Sequence, residues 1–516
     1  MTSRTRLVLL AAAGGVLGAL CWLPFHLAPW MPLAFVPAMR GFRLAESPRE
    51  AVYFGLAFGV GFYTVAGHYV AALVTYSWIA LVLYTIQTLY FLPFVTVEAW
   101  GAFWIERRVG LPRTFGFALL HSLFEWIRTL GDLTDPADMY AHAFGTHPAW
   151  LVWSSWTGPY FVSLMVLIVA ALLELAVEWR GRPARAAGAV AIAAILWLAP
   201  PVGDLFVAGR APEHPESIRV GIVQPSISVK DKLDRDQWPV TWGRLEDLSR
   251  NAAQGADLVL WPESARPGPV LWRDDEPFSD PRMEELAREL GVPILYGCEI
   301  ARIVNGEVAA LYNGAALAHP DGRPGDWYGK QQLLPFVEGI PYADLLGWDP
   351  AKARRKRKGK RSYLTLAGNF SPGPRSTIFE VGPARIGVLI CYEGFYPQLV
   401  RRYSLDGANA LCVMTNDAWW GYTVFAPWHA RMISARAREA GVPVVRAANS
   451  GVSSITDRFG RMGEATGLFE VTTLQVDLAP SPSGPTLYER SGNVYILVGW
   501  LTVAVLVFVG WRRGRP

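Results

Sequence analysis

The chain has 516 residues, enough for two or three domains, and is 52% hydrophobic with 22 tryptophans. A formal net charge of +4 is too small to argue for a nucleic-acid partner. The four cysteines (Cys21, Cys298, Cys391 and Cys412) are too widely spaced for a disulfide framework or a zinc site, and no metal motif appears among the eight histidines.

Apolar residues crowd into the first 205 or so positions and the last twenty-odd. Runs near 6–24, 27–40, 51–75, 78–105, 112–128, 157–179 and 185–203 read as seven membrane spans, and 493–511 as an eighth. A bilayer core asks for about 20 consecutive apolar residues in a helix. The second run is short, and the fifth, which holds His121 and Glu125, is the least hydrophobic. The start, MTSRTRLVLLAAAGGVLGALCW, imitates a signal peptide; because further spans follow, it reads as a first membrane helix. Arg4 and Arg6 precede the first run, and Arg40 and Arg43 follow the second. Arg107, Arg108 and Arg113 lie between the fourth and fifth, Arg180, Arg182 and Arg185 between the sixth and seventh, and the tail ends WRRGRP. All fall on one side if every run crosses, and an excess of Arg and Lys marks the cytoplasmic side. The loop 129–156 carries Asp132, Asp135 and Asp138 and no Lys or Arg, so it falls on the other side. The expected organisation is a membrane bundle over 1–205, an exported domain over 215–485 and a closing membrane helix over 493–511.

The exported part alternates strands and helices. IRVGIVQ (218–224) and ADLVLWPES (256–264) read as strands, with a helix through WGRLEDLSRNAAQG between them. PRMEELARELGVP has apolar spacing close to 3.6 and reads as a helix. VPILYGCEI and YNGAALAHPDG continue the strands, and DWYGKQQLLPFVE holds Lys330 and Glu338. RIGVLICYE and ANALCVMTND are two more strands, followed by the helix PWHARMISARAREAG and the strand pair in VPVVRAANSGVSSITD. This predicts a layered α/β domain with polar residues at its strand ends.

Three of those strand ends carry complementary chemistry. Cys391 follows a buried β-branched run and precedes a helix expected near Pro397, a setting that favours a lowered thiol pKa. A buried structural cysteine is the alternative. Glu263 can act as base if burial raises its pKa, and Lys330 can meet an oxyanion, with the backbone amide after Cys391 as a second donor. No GxSxG occurs, so a serine-histidine-aspartate arrangement is not expected. His429 reads as a packed or substrate-lining group. Trp419 and Trp420 suit a membrane interface at the mouth of the site and, with His429, are read as substrate-binding. The run AKARRKRKGKR (351–361) reads as a solvated loop or as an attraction to anionic headgroups.

Several stretches carry a resemblance. FEWIR, LWPESARP, KQQLLPFVEGIP, FSPGP, CYEGFYP, NDAWWG and PWHARMISARAREAGVPVVRAANSGVSSITD, in this order, resemble the bacterial apolipoprotein N-acyltransferases of the nitrilase superfamily. The resemblance implies a multi-span helical bundle plus a four-layer αββα sandwich. It implies Glu263 as base, Lys330 as oxyanion stabiliser and Cys391 as nucleophile. It implies that Glu338 orients or supplements Lys330 and that Tyr392 and Glu393 are required beside the nucleophile. The implied reaction moves an acyl chain from a phospholipid, through a Cys thioester, to the α-amine of a diacylglyceryl-cysteine at an apolipoprotein N-terminus, with no cofactor. The implied location is the bacterial inner membrane, with the catalytic domain on the periplasmic side.

The sequence departs from that pattern in places. Val337 stands where the family usually has Gly, which is expected to alter the loop around Glu338. Lys232-Leu233 replaces a usual Lys-Trp pair, with Trp238 nearby. The loop 129–156 lacks the usual aromatic Gly-Tyr stretch, and 352–361 looks like an insertion. The residues alone reach a membrane-anchored thiol acyltransferase or amidase; a non-catalytic membrane scaffold is the third possibility.

Overall fold

The structure, a computed structural model, describes residues 2–22, 25–75, 78–208, 216–349 and 370–513. The basic run 352–361 lies outside them. The chain forms two compact units: 1–129 with 135–211 and 486–516, and 212–485 together with 130–134.

The first unit is helical. Its principal helices are Ser3–Trp22, Met31–Arg43, Pro48–Ala66, Ile79–Val109, Arg113–Ile127, Pro159–Glu178, Pro183–Ala208 and Val494–Arg513. Each matches one expected run. Among the described residues, however, only five helices are long and apolar enough to cross a membrane. They become six if Pro48–Ala66 and His68–Val74, bent by 53°, count as one. Met31–Arg43 has 13 residues and Arg113–Ile127 has 15. At 1.5 Å per residue they reach about 20 Å, against a hydrocarbon core of about 30 Å. Hydropathy marks where a chain is apolar; caps decide where the helix stops. Ser47 accepts a hydrogen bond from the Glu50 N–H and starts one helix, and Gly110, with φ of 88°, ends another.

Phe54, Phe58 and Phe62, spaced at four, stack along one helix face with centroids 5.9 and 6.1 Å apart. Small residues let the first helix approach that one closely. A Cβ at Gly15 would sit 2.5 Å from the Phe58 carbonyl oxygen.

Four of the five basic segments gather at one end of the unit. Arg4 pairs with Glu50 at 3.8 Å and Arg40 with Glu174 at 3.0 Å. Arg107 donates to the Glu46 carbonyl at 3.0 Å, and Arg513 to the Val109 carbonyl at 3.0 Å. The short helix Met31–Arg43 ends at that end and the short helix Arg113–Ile127 starts there.

The second unit is two sheets between helices. β1 (Ile218–Gln224), β2 (Leu258–Leu260), β4 (Ile294–Val304), β5 (Glu307–Ala318), β6 (Trp327–Gly329) and β13 (Thr472–Leu478) pair in the order 13-1-2-4-5-6. β3 (Pro269–Arg273) also pairs with β4. β7 (Ile378–Val381), β8 (Ala384–Ile390), β9 (Ala410–Thr415), β10 (Val444–Ala448), β11 (Ser454–Thr456) and β12 (Met462–Ala465) form the other sheet in the order 12-11-10-9-8-7. Trp242 and Leu245 of the helix Trp238–Ala252 and Met283 and Leu286 of Pro281–Leu290 bury themselves with Val259 and Ile294 of the first sheet. Asn449 ties the sheets together: its Nδ2 donates to the Ile227 carbonyl at 2.7 Å and its Oδ1 accepts the Ile227 N–H at 3.0 Å. β8, β9 and β10 run parallel and are buried on both faces, which explains their continuous apolar runs.

Candidate active site

The site is built from residues that leave the sheets at the carboxyl ends of strands, where side chains escape the ladder and converge. Glu263 lies three residues beyond β2, Lys330 directly after β6, Cys391 directly after β8 and Asn416 directly after β9. The Glu263 turn packs against β4, where a Cβ at Gly297 would meet the Pro262 carbonyl oxygen at 2.3 Å. Three non-glycine residues here hold left-handed backbone: Ser264 (φ 44°), Phe336 (φ 63°) and Cys391 (φ 51°). Such conformations cost of order 1–3 kcal/mol each and persist only where the surroundings impose them.

One buried network joins the charged groups. Lys330 Nζ lies 2.7 Å from Glu338 Oε2, which also accepts the Leu334 N–H at 2.8 Å. Asn313, on β5, spans the two carboxylates, with Nδ2 donating to Glu263 Oε1 at 2.7 Å and to Glu338 Oε1 at 3.0 Å. The Asn416 N–H donates to Glu263 Oε2 at 2.8 Å. Glu393 is buried beneath the turn that starts at Cys391. It accepts the Tyr328 hydroxyl and the Gln331 N–H at 2.7 Å, the Ile390 N–H at 2.8 Å and the Gln332 N–H at 3.1 Å. It thereby fixes the turn after β8 to the loop that follows Lys330. Tyr392 donates its hydroxyl to the Thr134 carbonyl at 2.9 Å.

The electrostatics correct one expectation. Burial raises the pKa of the Cys391 thiol, Glu263 raises it further, and the opposing pull of Lys330 is smaller. Cys391 is therefore held as a thiol beside a carboxylate, rather than as a thiolate at a helix start. A short 3₁₀ turn, Cys391–Phe395, separates it from the helix Pro397–Leu405. Burial disfavours the Lys330 ammonium, but Glu338 and then Glu263 outweigh burial and hold its pKa above the ordinary lysine range. Lys330 is thus a fixed positive charge. Burial lowers the pKa of a second amine, Lys232, whose Nζ donates to the Glu263 carbonyl oxygen at 3.2 Å.

Glu263, Lys330, Cys391, Glu338 and Glu393 come together as the sequence suggested. His429 does not line an open surface: it is fully buried, with Nδ1 3.0 Å from Asp417 Oδ1. Trp419 and Trp420 are half-buried on the turn after Asp417, with Trp420 packed on Phe425 at 4.1 Å. Sequence reading missed Asn313, Asn416 and Lys232. Asn313 lies inside β5, Asn416 directly after β9 and Lys232 on the short helix Val229–Leu233, and nothing local marks any of the three as a site residue. Two of the four departures have a visible setting. Val337 follows the left-handed Phe336 and donates its N–H to the Leu334 carbonyl at 3.2 Å, and Glu338 keeps its bond to Lys330. Trp238 stands against Gly268 and lines a cleft with Lys232, Ser264 and Glu299.

Among the described residues no group of three or more His, Cys, Asp or Glu is arranged to hold a metal ion. The arrangement can deprotonate a thiol and meet an oxyanion, the two needs of acyl transfer.

Residues 219–486 match the carbon-nitrogen hydrolase family, and residues 14–172 match the apolipoprotein N-acyltransferase N-terminal domain. The apolipoprotein N-acyltransferase of Geobacter metallireducens is 29% identical across 98% of this chain and 95% of its own length. That of Azotobacter vinelandii is 29% identical across 95% and 94%. An amidase from Nesterenkonia, among solved structures, is 21% identical with a TM-score of 0.38, covering 55% of this chain and 96% of its own. With more than half of its length matched, the chain belongs to the carbon-nitrogen hydrolase family and carries, ahead of that domain, the N-terminal domain of the apolipoprotein N-acyltransferases.

Proposed function

We propose that the protein moves an acyl chain from a phospholipid, through a thioester on Cys391, to the α-amine of an N-terminal S-diacylglyceryl-cysteine. Glu263 takes the thiol proton as the sulfur attacks the ester carbonyl. A C–S bond forms, and Lys330 with the Tyr392 N–H meets the oxyanion. The C–O bond then breaks, and the lysophospholipid alcohol leaves with the proton from Glu263. The amine attacks the thioester next, the C–N bond forms, the C–S bond breaks, and the amine proton returns to sulfur through Glu263. Glu338 positions Lys330, and Glu393 holds the nucleophile turn. No cofactor is needed, because the thioester conserves the acyl energy.

The observation that carries this reading is the union, in one chain, of a buried Glu-Asn-Glu-Lys network around a thiol with five or six helices able to cross a membrane. The names of the relatives support it over nearly the full length. The reading includes a bacterial inner membrane, with residues 212–485 on its periplasmic side. The gathering of basic segments at one end of the helical unit supports that orientation. Apolar exposure in the loop after Glu338, at Leu345 and Leu346 (85% and 70%), suits a lipid-facing mouth.

The test uses the full chain in phospholipid micelles with a labelled acyl donor. Label should attach to wild-type protein, be released by hydroxylamine, and pass to a diacylglyceryl-cysteinyl peptide. Release as free fatty acid at the same rate with and without peptide would favour a hydrolase and sink the proposal.

A further inference from the structure

Glu263 is held at both of its ends by one ring of hydrogen bonds that crosses between the two sheets. The ring is built where β9 and β10 stop. Those strands run parallel with Ala448 opposite Thr415, and the Asn449 N–H donates to the Thr415 carbonyl at 3.0 Å. The residues that follow the two strands, Asn416 and Asn449, therefore come side by side. Asn449 Nδ2 donates to Asn416 Oδ1 at 2.9 Å, and the Asn416 N–H donates to Glu263 Oε2 at 2.8 Å. This arm holds the carboxylate.

The other arm leaves Asn449 toward the first sheet. Its side chain grips both backbone groups of Ile227, beyond β1, at 2.7 and 3.0 Å, and its carbonyl accepts the Ser226 N–H at 2.7 Å. Ser228 then starts the short helix Val229–Leu233. Its hydroxyl accepts the Asp231 N–H at 3.1 Å, and its carbonyl accepts the Lys232 N–H at 3.0 Å. Lys232 Nζ donates to the Glu263 carbonyl oxygen at 3.2 Å. The ring thus closes on the residue whose carboxylate the first arm holds. Asn449, buried at its centre, has both Nδ2 hydrogens and Oδ1 engaged, and a buried polar network satisfied in this way is rigid.

We infer that Asn449 and Lys232 are positioning residues for Glu263: the ring they close keeps its carboxylate aimed while it carries a proton from sulfur to the leaving oxygen. A carboxylate that takes a proton from one atom and gives it to another must face both, held to within about 0.5 Å. A glutamate side chain has three rotatable bonds, and the turn beneath this one includes the left-handed Ser264, with φ of 44°. Neither holds itself. Asn313 fixes Oε1 from the first sheet. The donor to Oε2 is a main-chain N–H, so its place is set by whatever holds the Asn416 loop, and Asn449 does. Lys232 fixes the peptide that follows Glu263. Opening the ring leaves both donors on the carboxylate and changes only its aim.

This inference rests on the thioester scheme, and the experiment separates the two. The full chain in micelles is acylated by a phospholipid and by soluble alkyl and aryl esters graded by leaving-group basicity. Lys232→Met keeps the stem and removes the donor to the Glu263 carbonyl. Asn416→Ala keeps the N–H on Glu263 and removes the link to Asn449. Each should slow the acylation burst by about 10²-fold with phospholipid and alkyl esters, the low end for general acid–base catalysis. A nitrophenyl ester, whose leaving group departs without a proton, should be slowed by about tenfold or less. The rate should therefore depend more steeply on leaving-group basicity than in wild type, with KM unchanged. The double variant should fall within about threefold of the slower single one, because groups that act as a unit do not add. Losses that multiply in the double variant would overturn the inference, as would an unchanged leaving-group slope or a loss carried by KM. Should Asn416→Ala fail to fold, the slope of Lys232→Met alone decides. Wild type that reacts with the soluble esters but not with phospholipid would sink the donor assignment alone and leave the ring comparison standing.

Discussion

The two units each bury a charged cluster, and the clusters differ in how well they are closed. In the layered unit, every oxygen of Glu263 and Glu338 has a partner, and Lys330 is paired within that network. In the helical unit, Glu98, His121, Glu125 and Arg128 are just as buried. There His121 bonds Glu98 at 2.7 Å and Arg128 donates to the Tyr63 hydroxyl at 3.0 Å. Arg128 stays 3.7 Å from Glu125, and His121 Nε2, Glu125 Oε2 and Arg128 Nε lack closely aligned partners. A sheet edge offers backbone N–H groups and asparagines at fixed positions. A helix has already used its own backbone groups internally, so a buried helical carboxylate depends on side chains and on N–H groups from outside the helix, as Glu125 Oε1 does on the Tyr140 N–H at 3.1 Å. The closed cluster is preorganised for charge development. The open one holds helices together at the cost of unmet hydrogen bonds.

The sharpest break of this contrast is at Cys391. Cys391→Ala should abolish acyl transfer in a folded protein, whereas replacing Cys21, Cys298 and Cys412 together should carry packing costs only, as all three are buried thiols away from the network. Retained transfer in Cys391→Ala, read by label on the peptide, would remove the site. Next, Lys330→Ala should lower the acylation rate by roughly 10²–10³, the scale of one oxyanion contact. Lys330→Arg should not restore it, because a planar guanidinium cannot reproduce a point charge bonded to Glu338. An Arg variant with normal single-turnover kinetics would show that the closed network is not needed.

The open cluster should fail through stability instead. Arg128→Leu strands Glu125 and should cost about 3–5 kcal/mol. Pairing it with Glu125→Leu should recover a large part of that loss in detergent unfolding, while a closed-network pair such as Lys330→Leu with Glu338→Leu should stay inactive. Equal recovery of function in both would erase the distinction.

A pH series sharpens the picture of the closed site. The Cys391 thiol is raised by burial and by Glu263. Its alkylation should be slow at pH 7 and still climb steeply at pH 9, about tenfold per unit below the pKa. A plateau already reached at pH 7 would mean a lowered thiol, as the sequence suggested. The smallest effect is expected from the basic run. Replacing the Lys and Arg of 352–361 by Ser should slow turnover on anionic bilayers at low salt, and the gap should close as salt rises. Equal loss on a soluble ester would make the run part of the site.

The sequence by itself determined much of this protein. Hydropathy located every principal helix of the first unit, and short apolar runs and 3.6-residue spacing located most strands and helices of the second, though not β3, β7, β12 or β13. Strand-end placement singled out Glu263, Lys330 and Cys391, since a short apolar run followed by one polar residue is a local signal. Only the tertiary structure decided the rest. Helix length turned eight apolar runs into five or six candidate spans. Strand pairing set Asn313 between two carboxylates that lie 50 and 25 positions away. The sign of the Cys391 shift came from burial and from a carboxylate on another sheet, and of the two readings of His429, packed or substrate-lining, full burial fits the packed one. Periodicity and capping act between neighbours in the chain. Desolvation, Coulomb forces and hydrogen bonding act through space, so they take their values only once distant strand ends have met.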